Sequence, residues 1–237
     1  MRAYADLHLC PSLDDLANAQ SMANLLVELQ LQVVGLVVPP ERLHNLHPVA
    51  NLFRHAGLDV ARRLNLKPKS REELLRSLRR FRNKYEIVSV ECGVPSVSRV
   101  AIRDRRVDIV YFPDRERGSI LRRNLATSCR AALEINLSAL TSGPGFGARL
   151  HSLKREIETA AQASTKVIGS TKASNPYELR SPRDIAAILH SVGLPLESAL
   201  RAVSEIPLAI VRKNRLRLEE PQLEEGVRIL RRPTGRG

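Results

Sequence analysis

The sequence is poor in aromatic residues, in cysteine and in long apolar runs. It has four tyrosines, four phenylalanines and no tryptophan, which argues against binding single-stranded nucleic acid by base stacking. No apolar run reaches the roughly 18 residues that a membrane-spanning helix needs. The three cysteines lie far apart, without the paired spacing of a metal site. We therefore expect a cytoplasmic protein with reduced thiols and no membrane association.

Hydrophobic residues nevertheless make up 43% of the 237 residues, which is enough for a packed core. This composition excludes an intrinsically disordered or collagen-like chain. The chain shows no internal linker and no short-period repeat, and its last residues are rich in charge. We predict one domain over residues 1–218 and a charged, flexible tail over residues 219–237.

Positive charge is abundant and unevenly distributed. The net charge is +13, but residues 1–60 carry −3, so that the rest of the chain carries +16. Arginine supplies 31 of the 38 basic residues, and its planar guanidinium matches phosphate geometry. A solvated surface with an arginine-rich composition is one explanation. The size of the charge favours the other, a polyanionic partner and nucleic acid in particular.

Short apolar segments alternate with amphipathic ones along most of the chain. Such β-α units predict a parallel sheet, either closed into a barrel or open and doubly wound. No Gly-x-Gly-x-x-Gly loop follows the first segment, so a closed barrel is favoured. We predict an α/β fold, an irregular TIM-like barrel with about seven parallel strands and extra C-terminal helices. The predicted strands are Ala3–Leu7, Val33–Val38, Asp59–Arg63, Ile87–Cys92, Val107–Phe112, Ala131–Leu137 and Lys166–Ser170.

Helix starts are marked by capping residues. Ser12 and Ser70 each stand three residues before an acidic residue, the spacing of a capping box. Ser181 is followed by a proline and by Asp184, the pattern of a helix N-terminus. Further helices are predicted over residues 146–163, 196–204 and 207–214.

The first predicted strand carries alternating polar residues. Tyr4, Asp6 and His8 share one face of that strand, and functional groups in barrels gather at the C-terminal ends of strands. The pattern resembles the His-x-Asp-x-His motif of the polymerase-and-histidinol-phosphatase (PHP) superfamily, whose members bind a metal cluster inside a seven-stranded barrel. Tyr4 stands in place of the first histidine of that motif.

The second half of the chain carries a more specific resemblance. Several segments are similar to the PHP-like protein subunit of archaeal and eukaryotic ribonuclease P, and the similarity extends from Asp6 to Asn214. These segments are Glu134–Ser138, Gly169–Ala173, Leu179–Ile185 and the stretch from Ala202 to Asn214.

The resemblance implies a subunit of the ribonucleoprotein that removes 5′ leaders from precursor tRNA. In that enzyme the RNA carries the active site with its own Mg²⁺ ions, so no cofactor, metal or catalytic residue is expected on this chain. The implied partners are the RNase P RNA, a small ferredoxin-like protein subunit and the other protein subunits. Precursor tRNA is then a partner only indirectly.

Four polar residues on predicted strands are candidates for a former metal site: Asp6, His8, Glu91 and Glu134. They can point into the barrel, where we interpret them as a hydrogen-bonded cluster that remains from a metal-binding ancestor. The alternative is a working PHP-type metal-dependent phosphoesterase, which needs several such ligands converging on one site.

Basic side chains near predicted strand ends and helix starts are the candidates for RNA contact. Arg180 directly precedes a helix N-terminus, where backbone N–H groups add to phosphate attraction, although it can instead pair with Asp184. The predicted RNA-binding residues are Arg62, Arg63, Arg105, Arg106, Arg122, Arg123, Lys172 and Arg180.

Overall fold

A barrel of seven parallel strands forms the body of the molecule in the computed structural model. The structure describes residues 2–112, 121–138 and 145–219, and the backbone of residues 222–224 and 227–228. Hydrogen-bonded neighbours follow chain order, as expected when each strand returns through a helix to lie beside the previous one. The strands are β1 Tyr4–Leu9, β2 Leu31–Val37, β3 Asp59–Leu66, β4 Ile87–Glu91, β5 Ile109–Tyr111, β6 Ala132–Asn136 and β7 Val167–Ser170. The predicted barrel is confirmed.

Helices cover the outside of the barrel and one of its ends. They are α1 Leu16–Glu28, α2 Leu46–His55, α3 Arg71–Phe81, α4 Pro95–Ala101, α5 Arg123–Ala126, α6 Phe146–Gln162, α7 Pro182–Ser191, α8 Leu196–Ala202 and α9 Glu205–Glu219. Shorter 3₁₀ helices span Pro40–Asn45, Arg82–Lys84 and Pro176–Glu178. Within the described residues, no helix is both long enough and apolar enough to cross a bilayer.

The C-terminal segment differs from the sequence prediction. Helix α9 begins at Glu205 and runs to Glu219, longer at both ends than the predicted helix over 207–214; Pro207 is compatible because it lies in the first turn. Beyond it, β8 (Gln222–Glu224) pairs antiparallel with β9 (Val227–Arg228). The other residues of the predicted tail lie outside the described part of the chain.

Two of the three predicted helix caps are present. Ser70 accepts a hydrogen bond from the Glu73 backbone N–H, and Ser181 with Asp184 forms a capping box at the start of α7. The prediction for Ser12 is wrong. The cap of α1 is Asp15, whose carboxylate accepts from Asn18 N at 2.9 Å, while Ser12 makes a local turn.

The hydrophobic core has two parts because both faces of each barrel strand are covered. Outward-facing residues such as Val34, Leu64 and Leu133 pack beneath the helices. Inward-facing residues fill the N-terminal half of the barrel, and α9 closes that end with Val211. The inward-facing set is Ala5, Leu7, Val33, Ala61, Ile87, Ile109, Ala132 and Ile168.

The edge strands β1 and β7 meet without a backbone ladder in the described residues. Other contacts join them: Asp6 Oδ2 accepts hydrogen bonds from Thr171 N at 3.0 Å and from Thr171 Oγ1 at 2.6 Å, and just beyond the strand ends Cys10 N donates to the Ala173 carbonyl at 2.8 Å. At the other end of the seam, Ala5 N donates to the carbonyl of Val203, between α8 and α9, at 2.9 Å. Asp6 therefore helps to close the barrel.

Barrel centre and candidate nucleic-acid interface

An arginine lies at the centre of the barrel. Arg63 is fully buried, and its guanidinium donates from Nη1 and Nη2 to the two carboxylate oxygens of Glu134, each at 2.6 Å. The remaining N–H groups donate to the carbonyl of Leu7, to Ser89 Oγ and to Asn65 Oδ1. All five N–H groups of the guanidinium thus have an acceptor, as a buried charge requires.

The strand alternation brings these groups together. Arg63 shares the inward face of β3 with Ala61 and Asn65, and the opposite strand β6 presents Glu134. Gly35 on β2 makes room beside them, because a Cβ at that position would lie 2.3 Å from the Leu7 carbonyl oxygen. That oxygen can therefore accept from Arg63.

His8 completes the cluster as a neutral side chain. Burial lowers its pKa to about 4, and the nearby Arg63 cation acts in the same direction. The ring is therefore uncharged at neutral pH, and its contact with Glu134 is a hydrogen bond. Since Glu134 only accepts, His8 Nδ1–H donates to it at 3.0 Å, and Nε2 accepts from Asn65 Nδ2 at 2.9 Å.

Two of the buried carboxylates, those of Glu134 and Asp6, have opposite pKa shifts. For Glu134, burial acts to raise the pKa, but the charge of Arg63 and contact with His8 bring it well below its ordinary value. Burial raises the pKa of Asp6 to about 6, and the hydrogen bonds from Thr171 and from the His8 backbone only moderate that rise. At neutral pH both carboxylates are therefore mostly ionised: Glu134 is paired with Arg63, while Asp6 is held by the hydrogen bonds of Thr171.

The predicted former metal site is only partly assembled. His8 and Glu134 are in contact, but Asp6 turns toward the β7 seam. Glu91 lies elsewhere on the inner face, where its carboxylate accepts from the Tyr111 hydroxyl at 3.1 Å and pairs with Lys67 Nζ at 3.0 Å. The four side chains therefore have three different sets of side-chain partners, although the His8 backbone N–H also donates to Asp6 Oδ1 at 2.9 Å.

These residues do not fit a catalytic divalent cation. In the described part of the chain, no three His, Cys, Asp or Glu side chains converge as a metal-binding group. Both oxygens of Glu134 are held by Arg63, and the Nδ1 of His8 is directed at the same carboxylate. A guanidinium already supplies the positive charge at this point, so that a second cation beside it would be repelled.

The predicted RNA-binding residues fall into three groups. The prediction for Arg63 is wrong, because its fully buried guanidinium has no exposed surface. Arg62 and Arg106 are partly exposed but paired: Arg62 Nε donates to Glu86 at 2.8 Å, and the guanidinium of Arg106 donates twice to its neighbour Asp104. The remaining five, Arg105, Arg122, Arg123, Lys172 and Arg180, are exposed.

The exposed five do not form one patch. Lys172 and Arg180 lie in the loop after β7, at the C-terminal end of the barrel, whereas Arg105 precedes β5 at the N-terminal end. Arg180 does not pair with Asp184. Its Nη1 donates to the carbonyls of Tyr177 and Leu179 at 2.8 and 2.6 Å.

Sequence reasoning missed a basic cleft at the N-terminal end of the barrel. A cleft of about 850 Å³ is bordered by the starts of β5, β6 and β7 and by α9, and basic side chains line it. Arg130, Lys166 and Lys213 are among them. They are widely separated in sequence, so that no local pattern joins them.

Comparisons with known proteins identify the family of this chain. A family model described as RNase P subunit p30 matches residues 3–219. The chain belongs to the RNase P subunit p30 family. Among relatives of this p30-family chain is ribonuclease P protein component 3 of Methanosarcina acetivorans, 28% identical over 214 residues and 88% of each chain. The protein of the same name from Methanocaldococcus jannaschii is 28% identical over 163 residues, 66% of this chain and 68% of the relative.

Solved structures show the fold of the p30-family chain elsewhere. A chain in the cryo-EM structure of archaeal ribonuclease P with mature tRNA matches with a TM-score of 0.77 and 23% identity, over 98% of this chain and 100% of that one. An amidohydrolase crystal structure matches with a TM-score of 0.55 and 12% identity, over 90% and 74%. These structural similarities show the barrel architecture, while family membership rests on the family-model match over residues 3–219.

Proposed function

We propose that this chain is a protein subunit of ribonuclease P that supports the catalytic RNA in removing 5′ leaders from precursor tRNA. The observation that carries the proposal is the p30-family match, which spans nearly the whole described barrel. The relatives that share this match are named as ribonuclease P components. Exposed arginines and a net charge of +13 suit a protein that binds RNA.

The barrel centre supports a role without chemistry of its own. The ion pair of Arg63 and Glu134 fills the place where catalytic groups would converge, and its hydrogen-bonding capacity is satisfied internally. We therefore assign catalysis and its Mg²⁺ ions to the RNA, with no catalytic residue, metal or cofactor on this chain. A PHP-type phosphoesterase is disfavoured because the available ligands do not converge.

The proposed partners are the RNase P RNA, a small ferredoxin-like subunit and the other protein subunits, with precursor tRNA reached indirectly and no membrane. We place the particle in the cytoplasm, whose reducing conditions suit the free thiols of Cys10, Cys92 and Cys129. Among the exposed candidates, Arg122, Arg123 and Arg180 are proposed as RNA contacts. Arg62 and Arg106 are weaker candidates because each already has a carboxylate partner.

Reconstitution tests this function. RNase P RNA and the remaining subunits are assembled with the full chain, without it, or with the variant Arg122→Gln/Arg123→Gln/Arg180→Gln. We expect slower precursor tRNA cleavage when the chain is omitted and an intermediate rate with the variant. The matched control, Arg71→Gln/Arg76→Gln/Arg79→Gln, removes the same charge from exposed positions of α3 and is expected to cleave normally.

An unchanged cleavage rate without the chain would overturn the proposal. Metal analysis and a generic phosphoesterase assay on the purified chain test the alternative. Stoichiometric bound metal together with turnover would favour the phosphoesterase, and we expect neither.

A further inference from the structure

The basic cleft at the N-terminal end of the barrel continues into a second one. Arg105, Arg130, Lys166, Arg201 and Lys213 line the larger cleft of about 850 Å³. An adjoining cleft of about 670 Å³ shares Arg105, Cys129 and Arg130 with it and extends to Arg103. The two clefts together form a continuous groove, which we call the basal groove.

Among the described residues, the lining of the basal groove has more basic than acidic side chains. Two carboxylates line it, Asp108 and Glu205. Asp108 is held by Arg82 at 2.9 Å, and Glu205 by Arg201 at 2.9 Å. Both acidic groups are therefore already paired.

Four cations of the basal groove have no carboxylate partner among the described residues: Arg103, Arg130, Lys166 and Lys213. Arg130, Lys166 and Lys213 are exposed. Exposed cations without internal partners add little to folding stability, whereas they attract an anionic ligand at long range.

The floor of the basal groove is aliphatic. Ile206, Ala209 and Ile210 of α9 form part of it, and no aromatic residue lines either cleft among the described residues. Stacking of unpaired bases on aromatic rings is therefore not available here. The groups suited to a ligand are the cationic side chains, which bind phosphate oxygens without reading base sequence.

We propose that the basal groove binds the phosphate backbone of RNA, through Arg130, Lys166 and Lys213 with Arg103 at its far end. The inference rests on the proposed ribonuclease P function and adds a contact site at the barrel end opposite Lys172 and Arg180. The cations extend along the groove from α9 to the segment before β5. This arrangement suits a chain with one charge per nucleotide better than an isolated acidic side chain.

The experiment compares the full-length protein with the variant Arg130→Gln/Lys166→Gln/Lys213→Gln, and uses Arg71→Gln/Arg76→Gln/Arg79→Gln as control. Binding to RNase P RNA and to precursor tRNA is measured separately over a series of salt concentrations. We expect the groove variant to bind at least one RNA about tenfold more weakly near 0.1 M salt, with the slope of log K against log salt smaller by roughly 2 to 3. The control should lose less affinity, and the RNA that loses most identifies the ligand.

Equal affinity and equal salt slope of the groove variant and the wild type, for both RNAs, would overturn the inference. So would a loss confined to binding of a protein subunit, which would make the groove a site for an acidic peptide. Both results leave the ribonuclease P function in place if omission of the chain still slows cleavage. An unfolding curve that matches the wild type shows that the variant is folded.

Discussion

Basic side chains in two regions of this molecule behave in opposite ways. In the barrel centre, Arg63 gives every N–H to an acceptor inside the protein. In the basal groove, Arg130, Lys166 and Lys213 have no carboxylate partner in the described chain. The difference follows from access to solvent. A buried charge needs an ion-pair partner to offset the cost of removing it from water, whereas an exposed charge is stabilised by water, which a bound ligand can displace.

The comparison also separates adjacent residues. Arg62 and Arg63 are neighbours in β3, yet one pairs with Glu86 at the partly exposed strand surface and the other fills the barrel centre. Net charge and local clustering therefore do not identify an RNA-binding arginine. An internal carboxylate partner instead marks an arginine that is less available to bind a ligand.

The largest effect is expected from breaking the central pair. Arg63→Met leaves Glu134 as an unpaired buried charge, and we expect the free energy of unfolding to fall by about 3–5 kcal/mol. Arg63→Met/Glu134→Met removes both charges and should recover most of that loss. Chemical denaturation of the single and double variants measures this, and a single variant within 1 kcal/mol of wild type, on the order of a surface pair, would contradict the account.

The second prediction concerns pH. The pKa of His8 falls from 6.5 to about 4 on folding. Between these values the unfolded chain binds a proton that the folded chain cannot, so His8 makes the protein less stable as pH decreases. Asp6 acts oppositely, because its pKa rises from 3.8 to about 6 and the folded chain is protonated first. The two contributions therefore oppose each other in the wild type.

The variant His8→Gln removes the contribution of His8 to the pH dependence of stability and leaves that of Asp6. At pH 7 we expect the variant to be less stable, since His8 bridges Glu134 and Asn65. Between pH 6.5 and 4 it should gain up to about 3 kcal/mol relative to wild type. Denaturation curves at several pH values measure the difference; if it stays constant with pH, His8 is not a buried neutral group.

A smaller effect is expected at the seam of the barrel. Thr171→Val removes the hydroxyl that donates to Asp6 Oδ2 at 2.6 Å but keeps the side-chain shape. We expect a loss of about 1–3 kcal/mol, the cost of leaving a buried acceptor less satisfied. Denaturation measures the loss. The control is Thr159→Val at a half-buried position, where the hydroxyl donates to the Arg155 carbonyl within its own helix.

The smallest stability effect is expected in the basal groove. Lys166→Gln and Lys213→Gln should each change the free energy of unfolding by less than about 0.5 kcal/mol, because these surface cations have no carboxylate partner among the described residues. Thermal or chemical denaturation checks this. A large destabilisation would show that the groove cations have a structural role and would weaken the contrast with Arg63.

Most of the architecture is predictable from the sequence. The seven strands follow from apolar segments alternating with helical patterns, and the caps at Ser70 and Ser181 follow from local side-chain chemistry. The sequence does not distinguish Ser12 from Asp15 as the cap of α1, because both residues have capping oxygens within four positions of the helix start. β3 and α9 are longer than the sequence predicts because their ends are fixed by contacts distant in sequence.

The candidate site is less predictable. Both faces of a barrel strand are covered, so alternation does not show which face of β3 points inward, and Arg63 is not distinguishable from Arg62. The basal groove is formed by residues scattered between positions 103 and 213, and these residues come close together only when the barrel closes.

Periodicity, motifs and composition are local or additive properties, so the amino-acid sequence is sufficient to predict the barrel, the family and the excess of arginine. The role of each charged side chain emerges once the chain is folded. Burial and pairing depend on neighbours that come from other strands: Glu134 neutralises Arg63 from across the barrel, while no carboxylate in the described chain reaches Lys166 or Lys213.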